Sequence, residues 1–340
     1  MPKFSSNLAA IAAGALAMTN PVTSAAHEAS PAAPPAGQAI TASGPEGDLA
    51  GTMIAPADGK PLVLIIPGSG PTDRDGNNPL GVSAASYRLL AEGLAARGIG
   101  SLRIDKRGMF ASGAAVADAN AVTIADYVSD VAAWRDAAAA QMGAECIWLA
   151  GHSEGGLVAL AAADTLDGIC GLILLASPGQ SAGDILRKQL QANPANIPIL
   201  PQALPAIDAL ERGERVDISD MHPALAGLFA PAVQGFLIDL MAQDPAATAA
   251  RIEIPMLIVQ GAEDLQIGVE NGEALHDAQP ASTLVVLPGV NHVLKTVGSG
   301  SRAANLAAYA DPHLPIASGV VEAVADFVAA DFVMAESGAE

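Results

Sequence analysis

Short apolar runs alternate with longer helical patterns along the chain from about residue 60 onward. Runs of five to seven apolar residues bounded by turn-forming residues, separated by helical stretches, are typical of βαβ units and a parallel sheet. The predicted strands are residues 62–67, 101–105, 146–150, 170–176, 256–260 and 283–287, and an earlier antiparallel strand is predicted at 49–54.

Two of the intervening segments, 86–97 and 123–142, carry a helical pattern. In the second, apolar residues recur at i, i+3, i+4 and i+7 from Ile124, which places them on one helix face. Thr123 followed three positions later by Asp126 resembles a helix-start capping pair. The chain is therefore predicted to be an α/β protein with a mostly parallel central sheet flanked by helices.

The segment 177–251 interrupts this alternation, because it contains helical apolar series but no convincing strand. Prolines recur through it and predict several short helices. Ordinary packing helices explain the apolar positions equally well, but the location between two predicted strands favours an inserted helical cap. The cap would then divide the α/β core into residues 45–176 and 252–340.

The first 44 residues differ from the rest of the chain. Lys3 precedes an apolar run over 8–18, and small residues at 24–26 offer a cleavage site, so residues 1–26 are interpreted as a secretory signal peptide, with an uncleaved Ala-rich tail as the alternative. A Pro-rich stretch follows, and residues 27–44 are predicted to form a linker. The eleven-residue apolar run is too short to cross a bilayer as a helix, and no later uncharged stretch reaches the roughly 20 residues that a membrane-spanning helix needs, so a membrane span is not expected.

Composition and charge exclude several function classes. Hydrophobic residues make up 51% of the chain and charged residues 15%, which is typical of a folded protein with a large core. The net charge of −20 gives no support to binding a phosphate backbone, so nucleic acid is not an expected partner. Cys146 and Cys170 are too few and too far apart for a zinc or C-x-x-C site, and neither a metal nor a cofactor is expected.

The sequence Gly151-His152-Ser153-Glu154-Gly155 matches the G-x-S-x-G pattern. An apolar run precedes it and a helical pattern follows, which predicts a strand, a sharp turn and a helix. In such a nucleophile elbow the serine is exposed on a strained turn, and the glycines allow close packing of the strand and helix. Ser153 is the predicted nucleophile.

A serine nucleophile needs a histidine base and an orienting acid, expected in the order Ser, Asp, His. His292 follows the last predicted strand and is the predicted base; His313, in a later loop, is the rival at the rim of the site. Asp264 follows strand 256–260 and is preferred to its neighbour Glu263, because a short side chain on a tight turn holds an imidazole rigidly. The remaining histidines, His27, His152, His222 and His276, lie at less suitable positions.

Two backbone amides are expected to bind the oxyanion that forms during acyl transfer. One belongs to Glu154, which follows the nucleophile, and the other to Ser69, in a glycine-rich loop after strand 62–67. A phosphate-binding loop is the alternative for this segment. It is disfavoured because the segment lacks a Gly-Lys-Ser/Thr ending and continues into Asp73 and Asp75.

Four sequence blocks carry a resemblance to a known family: PGSGPTDRDG at 67–76, RIDKRG at 103–108, the elbow around Ser153, and NHVLK at 291–295. Over about residues 45–335 the chain resembles the α/β-hydrolase superfamily, and within it the EstD-like bacterial carboxylesterases related to the serine aminopeptidase group. The family's usual His-Gly is Pro67-Gly68 in this chain.

The resemblance implies a cofactor-free hydrolase that cleaves small-molecule esters of short to medium acyl chains. It also implies that the charged residues of these loops mainly brace the oxyanion loop; they are Arg74, Asp75, Asp105, Lys106 and Arg107. In the family's sheet the strands that Cys146 and Cys170 open are neighbours, so these cysteines are expected to form either a disulfide or a pair of buried thiols. A thioesterase, a lactonase, a serine peptidase and a non-catalytic binding protein with the hydrolase fold remain the alternatives, and the oligomeric state is not indicated.

Overall fold

An eight-stranded sheet forms the centre of the protein, with strand order β1-β2-β4-β3-β5-β6-β7-β8. The computed structural model describes residues 37–298 and 300–337, with side chains described as far as residue 330, so the predicted signal peptide lies outside the described residues. Strands β3 to β8 are parallel to one another, and β1 and β2 are antiparallel to their neighbours. The strands are β1 Gln38–Ser43, β2 Asp48–Ile54, β3 Leu62–Ile66, β4 Gly100–Ile104, β5 Ile147–His152, β6 Ile169–Leu175, β7 Met256–Gly261 and β8 Thr283–Leu287.

Helices connect the parallel strands and cover both faces of the sheet, which confirms the predicted fold class. The predicted capping pair is present at the start of the second helix, where Thr123 and Asp126 form a reciprocal capping box. The helices are α1 Ser86–Ala95, α2 Ile124–Met142, α3 Glu154–Thr165, α4 Ala182–Ala192, α5 Leu200–Glu211, α6 Pro223–Ala226, α7 Gln234–Met241, α8 Pro245–Ala249, α9 Val269–Ala278, α10 Arg302–Ala307 and α11 Ser318–Ser337.

The sheet separates two apolar clusters. In β3, Leu64 packs with α2 and α3 on one face, whereas Val63 and Ile65 pack with α1 and α11 on the other. All five residues of β3 are buried, which explains why its sequence is continuously apolar instead of alternating. The carboxyl ends of these buried strands carry the loops that form the candidate site.

The predicted linker 27–44 is wrong at its carboxyl end, because residues 38–43 form strand β1. This strand pairs antiparallel with β2, and Ile40 lies opposite Gly51. Its sequence, QAITAS, gave no strand signal, since Ile40 is the only large apolar residue and the pairing with β2 supplies the missing stabilisation. The earlier antiparallel strand predicted at 49–54 is β2.

Between β6 and β7 the chain forms helices α4 to α8. Helices α4 to α7 enclose an apolar cluster of their own that includes Leu190, Ile207, Phe229 and Leu237. The last of them, α8, contacts α3 and α9 of the core. The segment 177–251 therefore has both internal packing and contacts with the α/β layers.

Cys146 and Cys170 form a disulfide, with their Cα atoms 5.3 Å apart. Cys146 directly precedes β5 and Cys170 is the second residue of β6, so the bridge joins the starts of two adjacent parallel strands. Of the two states expected for this pair, the structure contains the disulfide.

Within the described part of the chain, no helix has both the length and the apolar character needed to cross a membrane.

Candidate active site

Ser153 lies on the turn between β5 and α3 in a strained backbone conformation, with φ 52° and ψ −125°. Such a conformation costs a non-glycine residue about 1–3 kcal/mol and persists only where the surroundings enforce it. A Cβ on Gly155 would collide with the carbonyl oxygen of Ile66 in β3, and one on Gly151 with the carbonyl oxygen of Gly155. The two glycines of the motif therefore let α3 pack directly against the ends of β3 and β5, which presents Ser153 at the edge of the sheet.

His292 and Asp264 are joined by a hydrogen bond of 2.8 Å between Nδ1 of the imidazole and Oδ2 of the carboxylate. The Asp264 side chain is fully buried. Its other oxygen, Oδ1, accepts hydrogen bonds from the backbone amides of Gln266, at 2.7 Å, and Ile267, at 2.9 Å. The carboxylate is thus fixed on both oxygens. Because Nδ1 donates to Asp264, Nε2 is the acceptor of the neutral ring.

The sequence-predicted residues come together around one pocket. Ser69, Ser153, Glu154 and His292 line it, and Asp264 lies behind His292 at hydrogen-bond distance. Glu263, the rival acid, makes no hydrogen bond to His292 among the described residues; its carbonyl oxygen accepts from Asn305 instead.

The other described histidines, apart from His152, do not line this pocket. His222 is exposed and caps α6, and His276 bonds the Ser282 hydroxyl at 3.0 Å. His313, the rival base, is exposed in the loop before α11. His27 lies outside the described residues.

The glycine-rich loop after β3 is held on both sides of Gly68. Its amide donates to the Tyr87 hydroxyl oxygen at 3.0 Å, and its carbonyl oxygen accepts from Lys106 Nζ at 2.7 Å. Lys106 also donates to Glu154 Oε1 at 3.1 Å, with both side chains 3% exposed. Within the described part of the chain, the amides of Ser69 and Glu154 donate to no protein atom, so both remain free to bind an oxyanion.

The remaining charged residues of these loops divide into two groups. Arg74 pairs with Asp105, which also accepts the Arg74 amide at 2.9 Å, and Arg103 pairs with Asp75. These pairs hold the segment that follows the glycine-rich loop. Arg107 differs, since it bonds Asp126 and Asp130 of α2 and braces that helix instead.

Sequence reasoning missed Tyr87 and assigned no role to His152. The Tyr87 hydroxyl lies 2.9 Å from His152 Nδ1, and His152 Nε2 lies 2.8 Å from the carbonyl oxygen of His292. Burial lowers the pKa of His152 to about 3 and raises the pKa of Tyr87 above its ordinary value. No signal in the sequence marked Tyr87, because it occupies an apolar position of helix α1.

The walls of the pocket differ in character. The wall from α3, α4 and α7 is apolar, whereas the loops of the core contribute polar groups such as Thr72, Asn78 and Gln266. Among the described residues that line the pocket, Glu154 is the only carboxylate, and Lys106 already neutralises it. The apolar wall consists of Leu157, Ile185, Leu186, Leu237, Leu240 and Met241.

Comparisons with known proteins place this geometry in a family. The family model described as "Serine aminopeptidase, S33" matches residues 80–296. Esterase EstD from Thermotoga maritima is 26% identical over 219 residues, which are 63% of this chain and 48% of that protein. The chain thus spans about half the length of this curated relative.

Two solved structures share the fold. A thermophilic esterase from Thermogutta terrifontis is 18% identical with a TM-score of 0.53, and Est1E from Butyrivibrio proteoclasticus is 21% identical with a TM-score of 0.53. Each comparison covers 87% of this chain and 99% of the other. Because the family model covers well over half of the sequence, including the strand-turn-helix around Ser153, the chain belongs to the serine aminopeptidase S33 family of α/β hydrolases.

Proposed function

We propose that this protein is a serine hydrolase that cleaves carboxylic esters of short to medium acyl chains. The observation that carries the proposal is the shared pocket of Ser153 and His292, with His292 bonded through Nδ1 to the buried carboxylate of Asp264. This arrangement leaves Nε2 of the base free to accept the serine proton. The relationship to Esterase EstD supports the same class of reaction.

The reaction has two halves. His292 Nε2 takes the proton of Ser153 while Oγ attacks the acyl carbon, and the amides of Ser69 and Glu154 stabilise the resulting oxyanion. The protonated imidazole then gives its proton to the leaving alkoxide, and an acyl-enzyme remains on Ser153. Water, deprotonated by His292, hydrolyses this ester and restores the serine.

The charge of the pocket favours esters over peptides with a free amino terminus. An aminopeptidase needs an anionic group to bind the substrate amine. Among the described lining residues the only carboxylate is Glu154, which is 3% exposed and paired with Lys106. The apolar wall is instead suited to an acyl chain.

Substitution of the nucleophile tests the proposal. Ser153→Ala is expected to lower the kcat/KM for p-nitrophenyl butyrate by at least a thousandfold and to abolish labelling by a fluorophosphonate probe, because no other group can form the acyl-enzyme. Aminoacyl p-nitroanilides are expected to be poor substrates of the parent.

The matched control compares two histidines. His292→Ala is expected to be as severe as Ser153→Ala, whereas His313→Ala should leave the rate unchanged because His313 is exposed and outside the pocket. Activity of Ser153→Ala within tenfold of the parent would contradict the assignment.

The chain is further proposed to act outside the cytoplasm. The predicted signal peptide at 1–26 supports export, and so does the Cys146–Cys170 disulfide, because such bonds persist mainly in oxidising compartments.

A further inference from the structure

A buried chain of hydrogen bonds connects the loop before Ser69 with the backbone of His292. The Gly68 amide donates to the Tyr87 hydroxyl at 3.0 Å, the hydroxyl lies 2.9 Å from His152 Nδ1, and His152 Nε2 lies 2.8 Å from the His292 carbonyl oxygen. All three bonds are buried, and Tyr87 is 2% exposed. The chain thus crosses the site from one functional loop to the other.

The amide donor at one end and the carbonyl acceptor at the other fix the direction of each of these three hydrogen bonds. An amide N–H only donates, so the Tyr87 oxygen accepts from Gly68 and its single hydrogen is donated to His152 Nδ1. The neutral imidazole then carries its hydrogen on Nε2, which donates to the His292 carbonyl. Burial keeps this ring neutral, because it lowers the pKa of His152 to about 3.

Each end of this series of hydrogen bonds lies next to a group that the proposed reaction needs. Gly68 precedes Ser69, which lines the pocket, and His152 precedes Ser153. His292 is held by its ring to Asp264 and by its backbone to His152. A shift of either loop would therefore change the distance between the nucleophile, the base and the oxyanion donors.

We propose that Tyr87 and His152 are positioning residues that hold the oxyanion loop and the loop of His292 in register with Ser153. Neither residue is a proton donor or acceptor in the reaction. Tyr87 selects the tautomer of His152, and the selected tautomer is the one that can bond the His292 carbonyl. This inference rests on the proposed function, since it assigns working roles to Ser69 and His292.

Tyr87→Phe tests the proposal by removing one oxygen atom. The variant leaves the Gly68 amide and His152 Nδ1 unpaired, so His152 is free to adopt either tautomer. We expect kcat per active site to fall about tenfold to a hundredfold, with KM within twofold, because the loss lies in the geometry of the transition state. Rates are referred to sites titrated with a fluorophosphonate, which removes any effect of misfolded protein.

Two further readouts distinguish positioning from a general structural role. Affinity for a trifluoromethyl ketone, which forms a tetrahedral adduct with the serine, is expected to fall in parallel with kcat/KM. Nitrogen-15 NMR of the histidine rings is expected to show the Nε2–H tautomer of His152 in the parent and a mixture in Tyr87→Phe. The NMR readout does not depend on which substrate the enzyme prefers.

Matched variants complete the experiment. Tyr127→Phe removes the hydroxyl of another buried tyrosine, which makes no hydrogen bond among the described residues, and is expected to leave kcat per site unchanged. His152→Asn is expected to lower kcat, and the double variant with Tyr87→Phe should be little worse than the poorer single variant, because both break one chain.

Two results would overturn the proposal. One is a kcat per titrated site within threefold of the parent in Tyr87→Phe. The other is a double variant in which the two losses multiply. If the fluorophosphonate labels the parent but the parent does not hydrolyse esters, only the proposed substrate class is contradicted. The labelling rates and the tautomer of His152 would still test the roles of Tyr87 and His152.

Discussion

Ser153 keeps its strained conformation because the residues around it leave no alternative. Its amide donates to the Leu175 carbonyl of β6 at 3.0 Å, and its carbonyl accepts from Gly156 at 2.8 Å. These bonds fix the turn from both sides, while the missing side chains of Gly151 and Gly155 provide the space. The strain at one residue is thus supported by the packing of β5, β6 and α3.

The buried imidazole of His152 predicts a loss of stability in acid. Its pKa is lowered to about 3 in the folded protein, against about 6.5 in the unfolded chain, so unfolding takes up a proton between these values. Above about pH 6.5 His152 is neutral in both states and adds nothing to the pH dependence, whereas between pH 6.5 and pH 3 the unfolded chain binds a proton that the folded protein does not, so stability falls with pH. At pH 5 the folded state is expected to be less stable by about 2 kcal/mol from this group.

Urea unfolding of the parent and of His152→Asn at pH 5 and pH 8 measures this contribution. The difference in unfolding free energy between the two pH values should shrink by about 2 kcal/mol in the variant. His313→Asn serves as the control, because His313 is exposed and should leave the difference unchanged. Equal pH dependence in the parent and His152→Asn would show that His152 does not cause the acid sensitivity.

At the scale of elements, helices α4 and α7 of the segment 177–251 are bonded to the α/β layers beside the site. Gln189 of α4 donates to the carbonyl oxygen of Gln266 at 3.0 Å, close to Asp264. Asp239 of α7 accepts the amide of Ile124 at 2.7 Å, at the start of α2. These bonds position the apolar sides of α4 and α7 as one wall of the pocket.

This wall is predicted to set the preferred acyl chain length. Each buried methylene is worth about 0.8 kcal/mol, so kcat/KM should rise about fourfold per carbon until the chain fills the pocket. Leu240→Phe narrows the pocket and should move the optimum to shorter chains, whereas Leu237→Ala should move it to longer ones. A series of p-nitrophenyl esters from acetate to decanoate measures the optimum.

Phe229→Leu and Phe236→Leu are the controls for this series. Phe229 lies inside the apolar cluster enclosed by α4 to α7, and Phe236 packs edge-on against Tyr127 of α2. Both variants should lower the melting temperature without moving the optimum. An unchanged optimum in Leu237→Ala and Leu240→Phe would show that the wall does not select the acyl chain.

At the scale of the whole molecule, the parallel sheet assembles the site from distant segments. The loops after β3, β5, β7 and β8 contribute Ser69, Ser153, Asp264 and His292 at one edge. At the opposite ends of β5 and β6, the disulfide joins Cys146 to Cys170. Strand β5, which ends directly before Ser153, is therefore cross-linked at its beginning.

The disulfide predicts the stability and the thiol content of the protein. Closing a loop with a sequence separation of 24 residues is worth roughly 3 kcal/mol in a chain-entropy treatment, so Cys146→Ser/Cys170→Ser should be less stable by about that amount.

Protein isolated from the periplasm or medium, denatured without reductant, should contain no free thiol and should begin near residue 27. Two titratable thiols would exclude the bridge, and an intact residue 1 would contradict export.

Much of the architecture follows from local patterns in the sequence. The strand at 256–260 was predicted within one residue, because β7 is buried throughout and almost continuously apolar. The strand at 283–287 was predicted with the observed bounds from its short apolar run, although β8 lies at the edge of the sheet and is partly exposed. The start of α2 was readable from Thr123 and Asp126, because a capping box is a local interaction. Strand β1 was missed, since its stability comes from pairing with β2.

The sequence by itself determined the elbow around Ser153 and the order of the loops that carry Asp264 and His292, because these depend on short-range backbone rules and on the direction of parallel strands. Only the tertiary structure decided that Cys146 and Cys170 are bonded and that Asp264, not Glu263, contacts His292. It alone connected Tyr87 with His152. Those contacts join residues far apart in the chain, and their geometry depends on how the helices and loops pack around the sheet.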